Sequence, residues 1–269
     1  MYPSQTGEGP FRFFTMSENY GAICSDFYVN QRLNLKMDLP NNRETILAMF
    51  DRVRREFPNM DRFRRMEHEL ALESDPAADP QQWLAMRRTS VRTGVVSPVD
   101  PSAAYGFHKL ILEIAPYFLS VSPLDIDYLE LLYGFDLLAV GNHDAIVYDA
   151  LLSGSPLGRM LDVPGAAPVD CQPVFGVALN DSSELQAHFE VKTRTPPAFS
   201  GSTREGPPDA PPEPISVYLT MRRYGAVKDI SDLVSIFKQL TTRGEELLQT
   251  RVVPNLLVPI RDAISSGNA

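Results

Sequence analysis

The sequence predicts an α+β protein in which a strand-helix-strand-strand-helix unit occurs twice, with antiparallel sheets covered by helices. Three observations predict it. Apolar and polar residues alternate over Leu33 to Leu39 and again over Leu129 to Leu137, the mark of half-buried strands. Each run is followed by a helical pattern and then by extended segments joined through turn-forming residues. Each series then closes on a helix carrying an apolar stripe.

The first unit occupies residues 23–121, after an N-terminal tail of residues 1–22. Leu33, Leu35, Met37 and Leu39 fall on one side of a strand, and Asn34, Lys36 and Asp38 on the other. Pro40-Asn41-Asn42 supplies a turn and a helix cap, after which Ile46, Phe50, Val53 and Phe57 recur at helical spacing up to Pro58. Two extended runs, Arg62 to Glu73 and Gln82 to Val96, joined by Asp75 to Pro80, predict a hairpin. An apolar helix is expected over Ser102 to Leu119. His108, Lys109, Glu113 and Pro116 interrupt this stretch, so it falls short of the roughly 20 apolar residues of a membrane span.

The second unit occupies residues 122–269. It begins at about Ile126 with a strand in which Leu129, Leu131, Tyr133, Phe135 and Leu137 are expected to share one face, followed by a short helix over Asn142 to Leu152. Beyond a Gly- and Pro-rich connection, the runs Gln172 to Leu179 and Glu184 to Thr193 pair through Asn180-Asp181-Ser182-Ser183. Residues 195–214 contain seven prolines and few apolar side chains, and are expected to form a mobile surface loop. A strand over Ile215 to Arg222 and a long helix over Asp229 to Val252 complete the unit. In that helix Gly244 is a weak point, and Pro254 and Pro259 are expected to break up the chain beyond it.

With 269 residues and 43% hydrophobic content the chain can bury a core without staples. Its two cysteines, Cys24 and Cys171, lie far apart and outside any metal-ligand spacing, which with the lack of a signal-like segment over Met1 to Met16 predicts a reduced, cytoplasmic protein. A net charge of -9 argues against a general affinity for nucleic acid, and no segment predicts a membrane partner. Ten arginines lie between Arg43 and Arg92, whereas Glu113 to Glu184 holds eleven acidic residues and only Arg159 as a base. This asymmetry makes two solvated faces, or two lobes whose charges help them dock.

The segment Gly141-Asn142-His143-Asp144 comes nearest to a reaction motif. It resembles the asparagine-histidine block of the calcineurin-like metallophosphoesterases, in which both side chains serve a two-metal centre that activates water. That family also carries Asp-x-His, Gly-Asp-x-x-Asp and late Gly-x-His blocks, whereas this chain has no Asp-x-His, no Gly-Asp pair and no Gly-His pair. The alternative reading is a strand end at Val140-Gly141-Asn142 and a helix opened by His143-Asp144, where Asn caps the first turn. Asp125 and Asp127 have the Asp-x-Asp spacing by which many glycosyltransferases hold a metal and a nucleotide diphosphate, although no Gly-rich loop or basic cluster lies near them. Thus His143 and Asp144 are the candidate catalytic residues, and Asp125, Asp127 and His143 the candidate metal ligands. No nucleotide or other cofactor is expected, because the phosphate-cradling glycine motifs are missing.

The other histidines have simpler readings. His68 alternates with Met66, Leu70 and Leu72 and is expected to face the core, His188 lies on the polar face of its strand, and His108 is expected at a helix surface, partly buried. The pairs Arg64-Arg65, Arg87-Arg88 and Arg222-Arg223 would each send one arginine outward and one toward the helices, with Glu67, Glu69 and Glu73 as ion-pair partners.

The order of elements, with the apolar strand Leu129-Glu130-Leu131-Leu132-Tyr133 in the second half, resembles a sporadically distributed, uncharacterised bacterial α+β protein family. Leu132 stands where that family carries an arginine before the strand tyrosine. The resemblance implies a fold and no activity. The functional expectation is a soluble, non-catalytic protein-interaction or scaffold protein, self-associating as a homodimer or meeting another protein. One alternative is a metal-dependent hydrolase or transferase using Gly141-Asn142-His143-Asp144. The other is a binder of a small anionic ligand between the two halves.

Overall fold

A computed structural model describes residues 20–40, 42–194 and 211–267. Most of the expected tail, Asn41, and residues 195–210 of the expected loop lie outside the described residues. Nine strands form one antiparallel sheet: β1 (Asp26–Leu35), β2 (Arg62–Met66), β3 (Glu69–Glu73), β4 (Gln81–Arg87), β5 (Ser90–Val96), β6 (Ile126–Ala139), β7 (Val174–Ala178), β8 (Leu185–Lys192) and β9 (Glu213–Tyr224). Their order across the sheet is β2-β3-β4-β5-β1-β6-β9-β8-β7. The first strands of the two sequence halves, β1 and β6, therefore sit side by side at the centre, and each half's remaining strands extend as a wing to its own edge. The helices are α1 (Arg43–Glu56), α2 (Pro101–Phe118), α3 (His143–Val147), α4 (Gly158–Leu161), α5 (Asp232–Leu247) and α6 (Val258–Gly267). None of the described helices is long and apolar enough to cross a membrane.

The central strands are buried on one side. Phe27, Val29, Leu33 and Leu35 of β1 are buried, and so are Leu129, Leu131, Tyr133, Phe135 and Leu137 of β6 on the same side of the sheet. A break in register, where Asn34 faces Tyr128 but Leu35 faces Ile126, puts Ile126 on the buried side despite its odd spacing from Leu129. β1 begins and ends earlier than its alternation predicts. Gln31, buried among the apolar positions, masks the first part of the pattern, and Met37 is 65% exposed beyond the strand's end.

Each extended run of the first half holds two strands and a tight turn. Met66 faces Glu69 and Arg87 faces Ser90, so His68 projects from the β2–β3 turn, exposed beside Glu67, and not into the core. It is His108, in the middle of α2, that is fully buried. Its Nε2 lies 3.2 Å from the Val29 carbonyl, which can only accept, so Nδ1 is left to accept from the Thr93 hydroxyl at 2.8 Å. Without room for water around a charge, burial pushes its pKa down to about 3, and the ring is neutral.

The C-terminal helix does not break at its prolines. After α5 it continues as a π-helical segment, Leu248–Leu257, and then as α6. Pro254 has no N–H to give to the ordinary ladder, and the wider spacing, with Val258 N–H donating to the Val253 carbonyl, carries the chain past it. Gly244 has a packing reason. A Cβ there would lie 2.7 Å from the Tyr133 ring, so only glycine lets α5 approach β6 this closely. The Tyr133 hydroxyl meets that of Tyr105 of α2 at 2.8 Å, tying the two halves together in the core.

Candidate functional site

The residues nominated by motif divide between the two ends of β6. Asp125 accepts the Ser122 N–H at 2.8 Å and closes a one-turn cap, and Asp127 accepts from Asn34 Nδ2 at 2.9 Å. His143 and Asp144 come after the other end of the strand. Fourteen residues of extended chain separate the sets, on the order of 40 Å at ~3.3 Å per residue. The expected metal-ligand set of Asp125, Asp127 and His143 is thus not brought together. Among the described residues no group of three or more His, Cys, Asp or Glu side chains is placed to hold a metal ion.

Around His143 the geometry is that of a structural joint. Asn142 accepts the Ala145 N–H at 3.0 Å, capping α3, and its Nδ2 donates to the Pro168 carbonyl at 3.0 Å. The His143 Nε2 donates to the Ala139 carbonyl at 3.2 Å while Nδ1 accepts the Arg194 N–H at 3.4 Å. Both ring nitrogens are engaged, and burial holds the pKa below the ordinary imidazole value. Asp144 accepts the Cys171 N–H at 2.9 Å and the Thr193 hydroxyl at 2.6 Å. Three consecutive residues thereby fasten the connection before β7 and the chain just past β8 to the end of β6. Sequence reasoning has no access to Thr193 and Cys171 as partners, because 49 and 27 residues separate them from Asp144.

The arginine pairs lie where strands bring carboxylates. Arg64 meets Glu73 at 3.0 Å and Arg87 meets Glu69, as expected. Arg222 instead takes Glu130, Arg223 takes Glu184 at 3.2 Å, and Arg88, in a turn, takes Asp38 at 2.9 Å. Glu67 contacts only its neighbour His68, at 3.6 Å, among the ion pairs of the described residues.

The side of the sheet opposite the core carries a cross-strand row that no linear motif marks. Arg92 of β5 lies opposite Arg32 of β1, Arg32 opposite Glu130 of β6, and Glu130 opposite Arg222 of β9. Aromatic rings pave its surroundings. The Tyr128 ring lies between Arg32 and Arg222, 5.6 and 5.4 Å from their guanidinium carbons, and Arg92 stands 5.8 Å from the centre of the Trp83 ring. Trp83 lies across Gly94, where no Cβ would fit. Burial, then the charges of Arg87 and Arg32, hold the Arg92 pKa below its ordinary value. Two shallow hollows of about 300 Å³ lie elsewhere, one bounded by Asp51, Arg54, Arg55 and Pro58, the other between Gly21–Ser25 and the α6 residues Arg261, Ile264 and Ser265.

The two sheet edges differ in kind. β2 reads Arg62-Phe63-Arg64-Arg65-Met66, and β7 reads Val174-Phe175-Gly176-Val177-Ala178, exposed at all five positions and free of charge and proline. Comparison with protein-family models gives no match to this chain, and comparison with curated protein sequences gives none either.

Proposed function

We propose that this chain is a non-catalytic protein-contact module that pairs with a second copy of itself through β7. The carrying observation is that edge. Val174, Phe175 and Val177 are 58%, 54% and 44% exposed, and an uncharged edge strand presents unpaired backbone groups ready to extend a sheet. Antiparallel pairing of two β7 strands about Gly176 sets apolar residues against apolar residues and closes on a two-fold axis. The same operation at β2, about Arg64, would set Arg64 against its own copy and bring six arginines together along one seam. Leu157, Met160, Val163 and Val169, in the segment that precedes β7 in sequence, are also more than half exposed.

The finer architecture belongs to the same reading. Each half runs strand, helix, antiparallel wing, helix, and the strand order supports an internal duplication in which helices cover the buried side of the sheet, with the division between halves near residue 121. The alternative hydrolase or transferase reading would rest on Gly141-Asn142-His143-Asp144 alone, since Asp125 and Asp127 lie at the other end of β6.

Light scattering and sedimentation over a wide concentration range test the assembly. The wild-type chain is expected to dimerise, and Phe175→Lys with Val177→Lys to weaken the dimer at least tenfold while the folded monomer persists. A chain that stays monomeric at every concentration and retains no protein partner contradicts the reading. So does tight, stoichiometric divalent metal whose removal by chelator lowers the melting temperature.

A further inference from the structure

We propose that the outer face of the sheet, where the two halves meet, holds a small oxyanion, carboxylate or phosphate, between Arg92 and Arg32. The row contains three arginines and one carboxylate, and that carboxylate, Glu130, is engaged by Arg222. Arg87, the neighbouring cation on β4, has its own partner in Glu69. Arg92 and Arg32 lie directly across from one another on paired strands with no ion-pair partner among the described residues. Like charges in that position repel, which costs stability unless an anion sits between them.

The two guanidinium groups are held as a receptor would hold them. Arg32 donates through Nη2 to Asn34 Oδ1 at 2.8 Å, and Asn34 donates in turn to Asp127 at 2.9 Å. This relay gives Asp127 a positioning role. Tyr128 backs Arg32 on its flank, and the Arg32 Nε is buried without a hydrogen-bond partner, so the relay leaves part of this cation's bonding capacity unmet. Arg92 rests against Trp83, whose ring lies flat because Gly94 beneath it has no side chain. A planar fork matches two oxygens of a carboxylate or phosphate, and partial withdrawal from water strengthens each such bond. The site depends on β5 and β1 from one half and on Tyr128 of β6 from the other. It is separate from the β7 edge, and neither proposal depends on the other.

Trp83 is the only tryptophan of the chain, so its emission reports this site alone. Wild-type protein is titrated with inorganic phosphate, with succinate, and with a ten-residue oligothymidylate, at constant ionic strength. A saturable change in Trp83 emission with phosphate or with succinate is expected, and the responding probe identifies the source of the oxyanion. Arg32→Gln and Arg92→Gln should each weaken binding at least tenfold. Arg32→Lys and Arg92→Lys, which keep the charge and lose the fork, should weaken it severalfold and guard against loss of fold in the glutamine variants. A flat response to both small anions overturns the proposal, as does equal affinity in the wild type and all four variants. A response to the oligonucleotide alone also overturns it, since a polymer surface would then replace the small-anion site.

Discussion

The wing that runs from β5 to β2 and the wing that runs from β9 to β7 hang from the same central pair of strands and end differently. On the first, Arg62, Arg64 and Arg87 are matched with Asp75, Glu73 and Glu69, so its outer strands are laced by ion pairs and its edge is charged. On the second, the charges stop at β8, and the last strand is valine, phenylalanine, glycine, valine and alanine. Edge strands invite pairing unless charge, proline or a cover prevents it. The contrast teaches that one sheet can end in two edges of different chemistry, one charged and one uncharged.

The most damaging way to break the comparison is to separate the wings' common support. Gly244→Leu would drive a side chain into the Tyr133 ring, at 2.7 Å from the Cβ alone, and with it disturb the Tyr105–Tyr133 hydrogen bond between the halves. Overpacking of this kind costs about 3 kcal/mol, read as a shift in the urea midpoint, and it should destabilise both wings in one transition. A gain of about 1 kcal/mol, the ordinary result of replacing an exposed helical glycine, would show that α5 does not need this close approach.

A smaller effect separates the halves by pH. His108 fastens α2 to β1 and β5 of the first half as a neutral ring, with its pKa pushed down from 6.5 to about 3. The unfolded chain binds a proton at this residue below about pH 6.5 while the folded chain does not, so the contribution falls as pH drops through that window and levels off near pH 3. Between pH 7 and pH 5 the loss is about 2 kcal/mol, and His108→Gln should remove that part of the slope. His143, in the second half, is shifted in the same direction by burial and should add to the slope with the same sign. Equal slopes for wild type and His108→Gln in denaturation curves at the two pH values would mean that the buried ring is charged.

How far the molecule can be read from its sequence obeys the same division. The alternation of β6 and β9, the amphipathic α1 and the apolar α2 announce themselves, because one face of each is apolar at the right period. β1 is displaced from its apparent alternation because Gln31 occupies a buried position, and the paired turns around His68 and Arg88 carry no Asn-Gly or Asp-Gly signal to split the runs into four strands. His68 and His108 exchange places for the same reason, since burial is decided by turns and by the partners Thr93 and Val29, not by local alternation. For the candidate sites, two separate local motifs nominate Asp125 with Asp127 and His143 with Asp144, and only the structure shows that a strand's length divides them. The Arg92-Arg32-Glu130-Arg222 row is invisible in the sequence because cross-strand register is a property of four strands drawn from both halves.

The smallest effect on folding gives the sharpest test of the two edges. Replacing Arg62, Arg64 and Arg65 of β2 by valine removes ion pairs whose arginines are at least half exposed, among them Arg62 with Asp75 and Arg64 with Glu73. Pairs of that exposure contribute little, so the monomer should lose less than about 1 kcal/mol. The change lies in the edge, which becomes apolar like β7 while its backbone groups stay in place. If charge is what keeps β2 from pairing, the variant should form chains through both ends of the sheet, and light scattering should show species that grow with concentration beyond the dimer. Combining it with Phe175→Lys and Val177→Lys should then restore a dimer, now joined through β2. A variant that assembles no further than the wild type would place the protection of β2 elsewhere than in its arginines, and the contrast between the wings would lose its electrostatic cause.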